Sequence, residues 1–194
     1  VGFMDFETFQ EAVPSFDQQH PYQMIPFQYS LHIFNNGDLS HYEFLGTPGL
    51  DPRRKFIEQL IADTEPCATI LVYNQSFEES RLKDLARYFP EYAGGIAAIT
   101  EKMVDLMTPF RKKDYYVKEM CGSHSIKYVL PALVQDMSYD GMAIGDGEMA
   151  MLSYALMNGM DNMFDIADTR KNLLDYCRLD TLAMVKIWEK LLEI

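Results

Sequence analysis

Asn35-Asn36-Gly37-Asp38 separates two alternating apolar runs, and no other stretch limits the fold of this chain so narrowly. Asn-Gly tolerates the two positive φ angles of a tight turn whose twist matches paired strands. Residues 27–34 and 40–45 are therefore expected as an antiparallel hairpin. Residues 2–9 read as an earlier strand, joined to the hairpin by a Pro-rich connection that carries Phe16 and Tyr22. Asp51-Pro52 has the order of a helix start, Asp as cap and Pro in first place, and it puts Phe56, Leu60 and Ile61 on one face. Residues 69–73 form a short apolar strand of the kind buried inside a sheet. The second half reads as helical: residues 76–107 with breaks near Pro90 and Gly94-Gly95, then 125–133, 147–157 and 169–192. Residues 115–117 read as a short strand or an extended loop. The expectation is one α/β domain over residues 1–194, a mixed sheet flanked by helices, cut from a longer protein.

Two acids interrupt the first strand. Asp5 and Glu7 stand two apart, so alternation puts both on one face, where like charges repel unless a cation lies between them. A solvated edge and a metal site are both open readings of that pair alone. No apolar run approaches the ~20 residues that a membrane span needs, and no signal peptide is visible. Cys67, Cys121 and Cys177 are odd in number and have no Cys-x-x-Cys spacing, which suits small hydrophobes in a reducing cytoplasm. The formal charge of −12 weighs against a broad non-specific grip on duplex nucleic acid. It leaves room for an enzyme that gathers carboxylates around cations.

Three places then line up along the chain. The first is Asp5-Phe6-Glu7. The second is the junction of a buried strand and a helix, with Asn74, Phe77 and Glu78. The third is the last helix, where Tyr176 and Asp180 are four apart and share a face. In this order the motifs resemble the DEDD exonuclease superfamily in its tyrosine-bearing branch. The blocks DFET, VYNQSFEESRL and GSHSIKYVLPAL more closely resemble an uncharacterised bacterial family assigned to that superfamily, usually found as the C-terminal part of longer proteins.

The resemblance implies a ribonuclease H-like fold and removal of nucleotides from single-stranded 3′ ends of DNA or RNA. It implies that Asp5, Glu7, Glu78 and Asp180 ligate two divalent cations, Mg²⁺ or Mn²⁺, and that Tyr176 orients or activates the attacking water. Thr8, Asn74, Phe77 and Lys127 are the implied substrate contacts. Glu78 departs from the pattern, which has Asp there; the longer side chain would shift the second ion. The chemistry accounts for the residue types. Two cations ~3.5–4 Å apart make a nucleophile from water and clamp both oxygens of the displacement, and such hard ions take oxygen ligands.

The remaining features have quieter readings. Asn74 suits a turn at the strand end, with ligand contact as the other reading. His124 is expected in a loop, Lys127 on the surface, and residues 142–163, rich in Met, as adaptable core. Arg53 to Lys55 and Arg111 to Lys113 read as solvated runs, and they are also the only obvious basic footing for a strand backbone. A catalytically silent nucleic-acid-binding or scaffolding module of a larger repair or defence protein is the alternative, and a phosphodiesterase for short oligonucleotides or nucleotides is a third. Other domains of the full-length protein are expected partners; a membrane is not.

Overall fold

The computed structural model describes residues 1–135 and 137–193. Five strands, β1 (Gly2–Phe9), β2 (Ile25–Asn35), β3 (Asp38–Leu45), β4 (Ile70–Val72) and β5 (Met103–Asp105), form one mixed sheet in the order β3-β2-β1-β4-β5. The first three are antiparallel to one another, whereas β4 runs parallel to β1 and β5 parallel to β4. Asn36 and Gly37 hold φ angles of 51° and 95°, the double left-handed turn that the Asn-Gly pair favours.

Helices cover both faces. α1 (Arg53–Thr64), α2 (Gln75–Tyr88) and α3 (Ala93–Glu101) close one side over Met4, Phe6, Tyr29 and Leu31. The short α4 (Thr108–Arg111), then α5 (Ile126–Leu133), α6 (Gly147–Met157) and the 30-residue α7 (Met163–Leu192) follow in the chain. Phe3 and Leu71 bury against α7 and α5 residues, and Phe9 and Ile25 against α6 residues and Tyr176. The even residues of β1 thus serve one core and the odd residues the other.

Several sequence expectations need correction. Residues 103–105 are not helical: Met103 pairs with Ile70, because the open edge of β4 captures a short parallel strand there. Gly94 and Gly95 lie inside α3 rather than breaking a helix, since the break is made by the turn at Pro90–Tyr92. Pro52 is the cap residue of α1, although Asp51 still accepts the Arg53 N–H at 3.0 Å. Of the two readings of residues 115–117, strand or extended loop, the structure has the loop. α7 begins six residues early, at Met163, where Asn162 caps it by accepting from the Phe164 N–H at 3.0 Å.

β2 is irregular at one place. Glu7 pairs with Gln28 and Thr8 with Pro26, so Phe27 is an extra residue opposite that step. Bulges of this kind bend a strand and re-aim side chains. Here the bulge accommodates Pro26, which lacks a ladder donor.

Candidate metal centre

Phe3, Asp5, Glu7 and Phe9 alternate along β1 toward the α5–α7 layer. Phe3 and Phe9 belong to separate apolar clusters, so the two acids occupy the gap between them. α7 crosses that gap and delivers Asp180. Asp5, Glu7 and Asp180 each offer a carboxylate oxygen, and these oxygens all lie within 4.8 Å of one another. The first and last of them are 175 residues apart in the chain (180 − 5).

A buried polar seam fixes where α7 lies. The Thr181 hydroxyl lies 2.6 Å from the Ser30 hydroxyl and 2.8 Å from His32 Nδ1. The Gln28 amide donates to the Leu173 carbonyl at 2.7 Å. Ser30 and Gln28 are the cross-strand partners of Asp5 and Glu7, so the groups that seat the helix lie beside the acids that it must meet. Thr181→Val keeps the shape and strands these polar partners, which costs about 2 kcal/mol. A fall in Tm of roughly 4–8 °C is expected for a chain of this size. An unchanged melting curve would mean that apolar contacts alone hold α7 in place.

Burial raises every carboxyl group here, and mutual repulsion adds to it at Asp5 and Glu7. Asp5 lies well above the usual range, first through burial and then through Asp180, Glu7 and Glu78. Burial and Asp180 push Glu7 up to about 8, with Lys127 pulling the other way. Burial likewise takes Glu78 to about 8. Asp180 reaches only about 6, because burial is opposed by the Tyr139 hydroxyl and by Lys127. That hydroxyl donates to Asp180 Oδ1 at 2.6 Å. Lys127 donates to the Gly145 carbonyl at 2.6 Å, with its ammonium 5.7 and 5.9 Å from the ring centroids of Tyr139 and Tyr176.

These shifts fix a pH dependence. Groups raised in the folded state stabilise it below their unfolded pKa, and that stability is lost as pH rises through the folded value. His32 and His41 do the reverse: burial lowers them to about 3 and about 4, so their contribution is lost on acidification below the ordinary His range. Once pH passes the ordinary His range these two histidines are neutral in both states, and the raised carboxyl groups carry the further change. In EDTA the protein should lose about 3 kcal/mol between pH 6.5 and 8, or roughly 6–12 °C in Tm. Equal melting temperatures at the two pH values would show that Glu7 and Glu78 are ionised in the folded protein without penalty.

The residues singled out from sequence divide in two. Asp5, Glu7, Asp180 and Tyr176 come together. Glu78 is buried in the first turn of α2, and its Oε2 has no hydrogen-bond partner among the described residues. Its charge is felt at Asp5 and Glu7, yet it stands outside the three-carboxylate group. Lys127 is half-buried inside the site, not a free surface lysine. Asn74 takes the left-handed conformation at φ 86°, as a turn requires, and its side-chain oxygen accepts from the Ser76 hydroxyl at 2.9 Å instead of capping α2. Phe77 packs toward the α1 side beneath Arg81, whose guanidinium lies 5.4 Å from the ring centroid. Thr8 alternates away from Glu7. His124 is exposed, and its carbonyl accepts the Tyr73 hydroxyl at 2.7 Å. Sequence reasoning missed Tyr139. It lies in a loop 41 residues before Asp180, and no periodicity links the two.

An α/β domain with a carboxylate cluster between its sheet and a long closing helix is therefore defined. The chain belongs to the family described as a domain of unknown function, DUF2779, whose model matches residues 2–125. That span contains Asp5, Glu7 and Glu78 and stops short of Tyr176 and Asp180. The chain is 29% identical to the uncharacterized protein MG366 homolog of Mycoplasma pneumoniae over 95% of its own length and 31% of the relative's. It is 27% identical to the uncharacterized protein UU173 of Ureaplasma parvum over 75% of the chain and 24% of the relative. The chain thus spans a third or less of these curated relatives. No solved structure matches it. No helix among the described residues is long and apolar enough to cross a membrane.

Proposed function

We propose that this domain is a metal-dependent 3′–5′ exonuclease of ribonuclease H-like architecture that acts on single-stranded ends of DNA or RNA. The observation that carries the reading is the convergence of Asp5, Glu7 and Asp180 within 4.8 Å in a buried gap. Carboxylates so close and so poorly solvated favour a cation between them. The unpartnered Glu78 Oε2 beside them fits a further ligand or a hydrogen bond to a bound water. Divalent cations bound there would supply an activated water and neutralise charge on the scissile phosphate.

The chain's own groups have separate tasks. Asp5, Glu7 and Asp180 give up their protons to hold the cation. Tyr139 fixes one oxygen of Asp180 and leaves the other free to turn toward the ligand. Burial and neighbouring Asp180, Glu7 and Asp5 push the Tyr176 phenol above its ordinary range, so it stays protonated and orients water as a hydrogen-bond donor. Lys127 is the cation best placed to meet a phosphate.

The test is incubation of 5′-labelled single strands with Mn²⁺, Mg²⁺ or EDTA. A metal-dependent ladder shortened from the 3′ end is the expected result. A gel shift without cleavage would favour the second reading, a silent nucleic-acid-binding module, which the position of Glu78 outside the three-carboxylate group supports. Cleavage of only very short oligomers would favour a phosphodiesterase.

A further inference from the structure

Beyond the acidic cluster, the same side of the sheet carries a cavity of about 230 Å³ between the end of β1 and α6. Phe9, Phe16 and Tyr154 form its aromatic walls. The ring centroids of Phe9 and Tyr154 are 5.3 Å apart, and those of Phe9 and Phe16 are 6.2 Å apart. Tyr154 is held flat from behind, stacked on Phe27 at 4.0 Å. Phe27 is the extra residue of the β2 bulge, so the irregularity in the sheet builds this wall.

Glu11, Ser15 and Asn158 bring polar side chains to the same lining. Glu11 lines the cavity, and its Oε2 is buried without a hydrogen-bond partner among the described residues. A buried carboxylate oxygen left unpaired carries a desolvation cost that a donor on a ligand would remove. Asn158 also lines it. Gly49 beside it has φ 77°, and a Cβ there would stand 2.6 Å from the Asn158 amide oxygen, so the glycine leaves that amide its place.

We infer that this cavity binds a nucleobase and selects guanine, whose ring stacks on the aromatic walls and whose N1–H and 2-amino donors meet Glu11. Flat π faces accept any base, so the walls alone give affinity without choice. The carboxylate adds the choice, since adenine and uracil present no matching pair of donors on one edge. Position supports a nucleotide. Phe9 follows Glu7 by two residues, roughly 7 Å along a strand, so the cavity lies within a nucleotide's reach of the acidic cluster. The inference deepens the hydrolytic reading by giving that site a preferred terminal base.

The test is calorimetric titration of the metal-free protein with guanosine, inosine, adenosine, cytidine and uridine. Guanosine should bind at least tenfold more tightly than adenosine, with inosine between them, as expected for one good paired contact. Glu11→Gln should erase that preference, whereas Phe16→Ala, on a half-exposed wall, should weaken every nucleoside. Equal binding of all five, binding of none, or an unchanged preference in Glu11→Gln would overturn the inference. Displacement of guanosine by millimolar ethylguanidinium but not by adenosine would overturn it too, in favour of a cationic partner. Because no metal is present, selective binding by a protein that cleaves no strand would refute only the hydrolytic reading. Metal-dependent cleavage without nucleoside selectivity would refute only the pocket.

Discussion

Asp5→Asn should remove the response to Mn²⁺ altogether. In the parent protein, Mn²⁺ at a hundred times its dissociation constant should add about 2.7 kcal/mol, a rise in Tm of roughly 5–11 °C. Asn keeps the shape of the side chain and deletes its charge, so the fold has no reason to fail. At pH 8 the metal-free variant should even melt higher than the metal-free parent, because Asp180, Glu7 and Glu78 all repel Asp5. Strand cleavage should fall to background. Equal Mn²⁺ stabilisation of parent and variant, read by calorimetry, would remove Asp5 from the centre. A lower metal-free Tm at pH 8 would contradict the repulsion itself.

Tyr176→Phe is expected to slow single-turnover cleavage of a labelled strand at least tenfold at saturating Mn²⁺. A general acid–base group contributes ~10²–10⁴-fold, and one that only orients water contributes less. The substitution leaves the ring against Tyr139, 6.3 Å away between centroids, so folding and metal affinity should hardly change. His124→Ala should stay within a few-fold of the parent, since His124 is exposed and engaged through its backbone carbonyl. A crippled His124→Ala beside a normal Tyr176→Phe would transfer the water-orienting role to the histidine.

The acidic face was legible because its signals are local. Asp5 and Glu7 obey strand alternation, and Tyr176 and Asp180 obey helical spacing, so each pair declares its own face. The hairpin was legible for the same reason, through Asn36-Gly37. Tyr139 and Lys127 have no such spacing: each reaches the site only because loops and α5 fold back over α7. β5 was hidden because three residues carry too little pattern, and its strand character comes from the edge of β4. The bulge at Phe27 was invisible because it is a property of two strands in register, not of either alone.

The placement of Asp180 on the last helix also governs when the centre can exist. During synthesis Asp5 and Glu7 leave the ribosome well before Asp180 does. The sheet can pair β1 with β2 early, but its two acids then face an uncovered gap with no third ligand. Only docking of α7, through Thr181 on Ser30 and His32, completes the set. On the proposed reading, tight metal binding would report finished folding, and a nascent or misfolded chain would lack the complete set of three carboxylates.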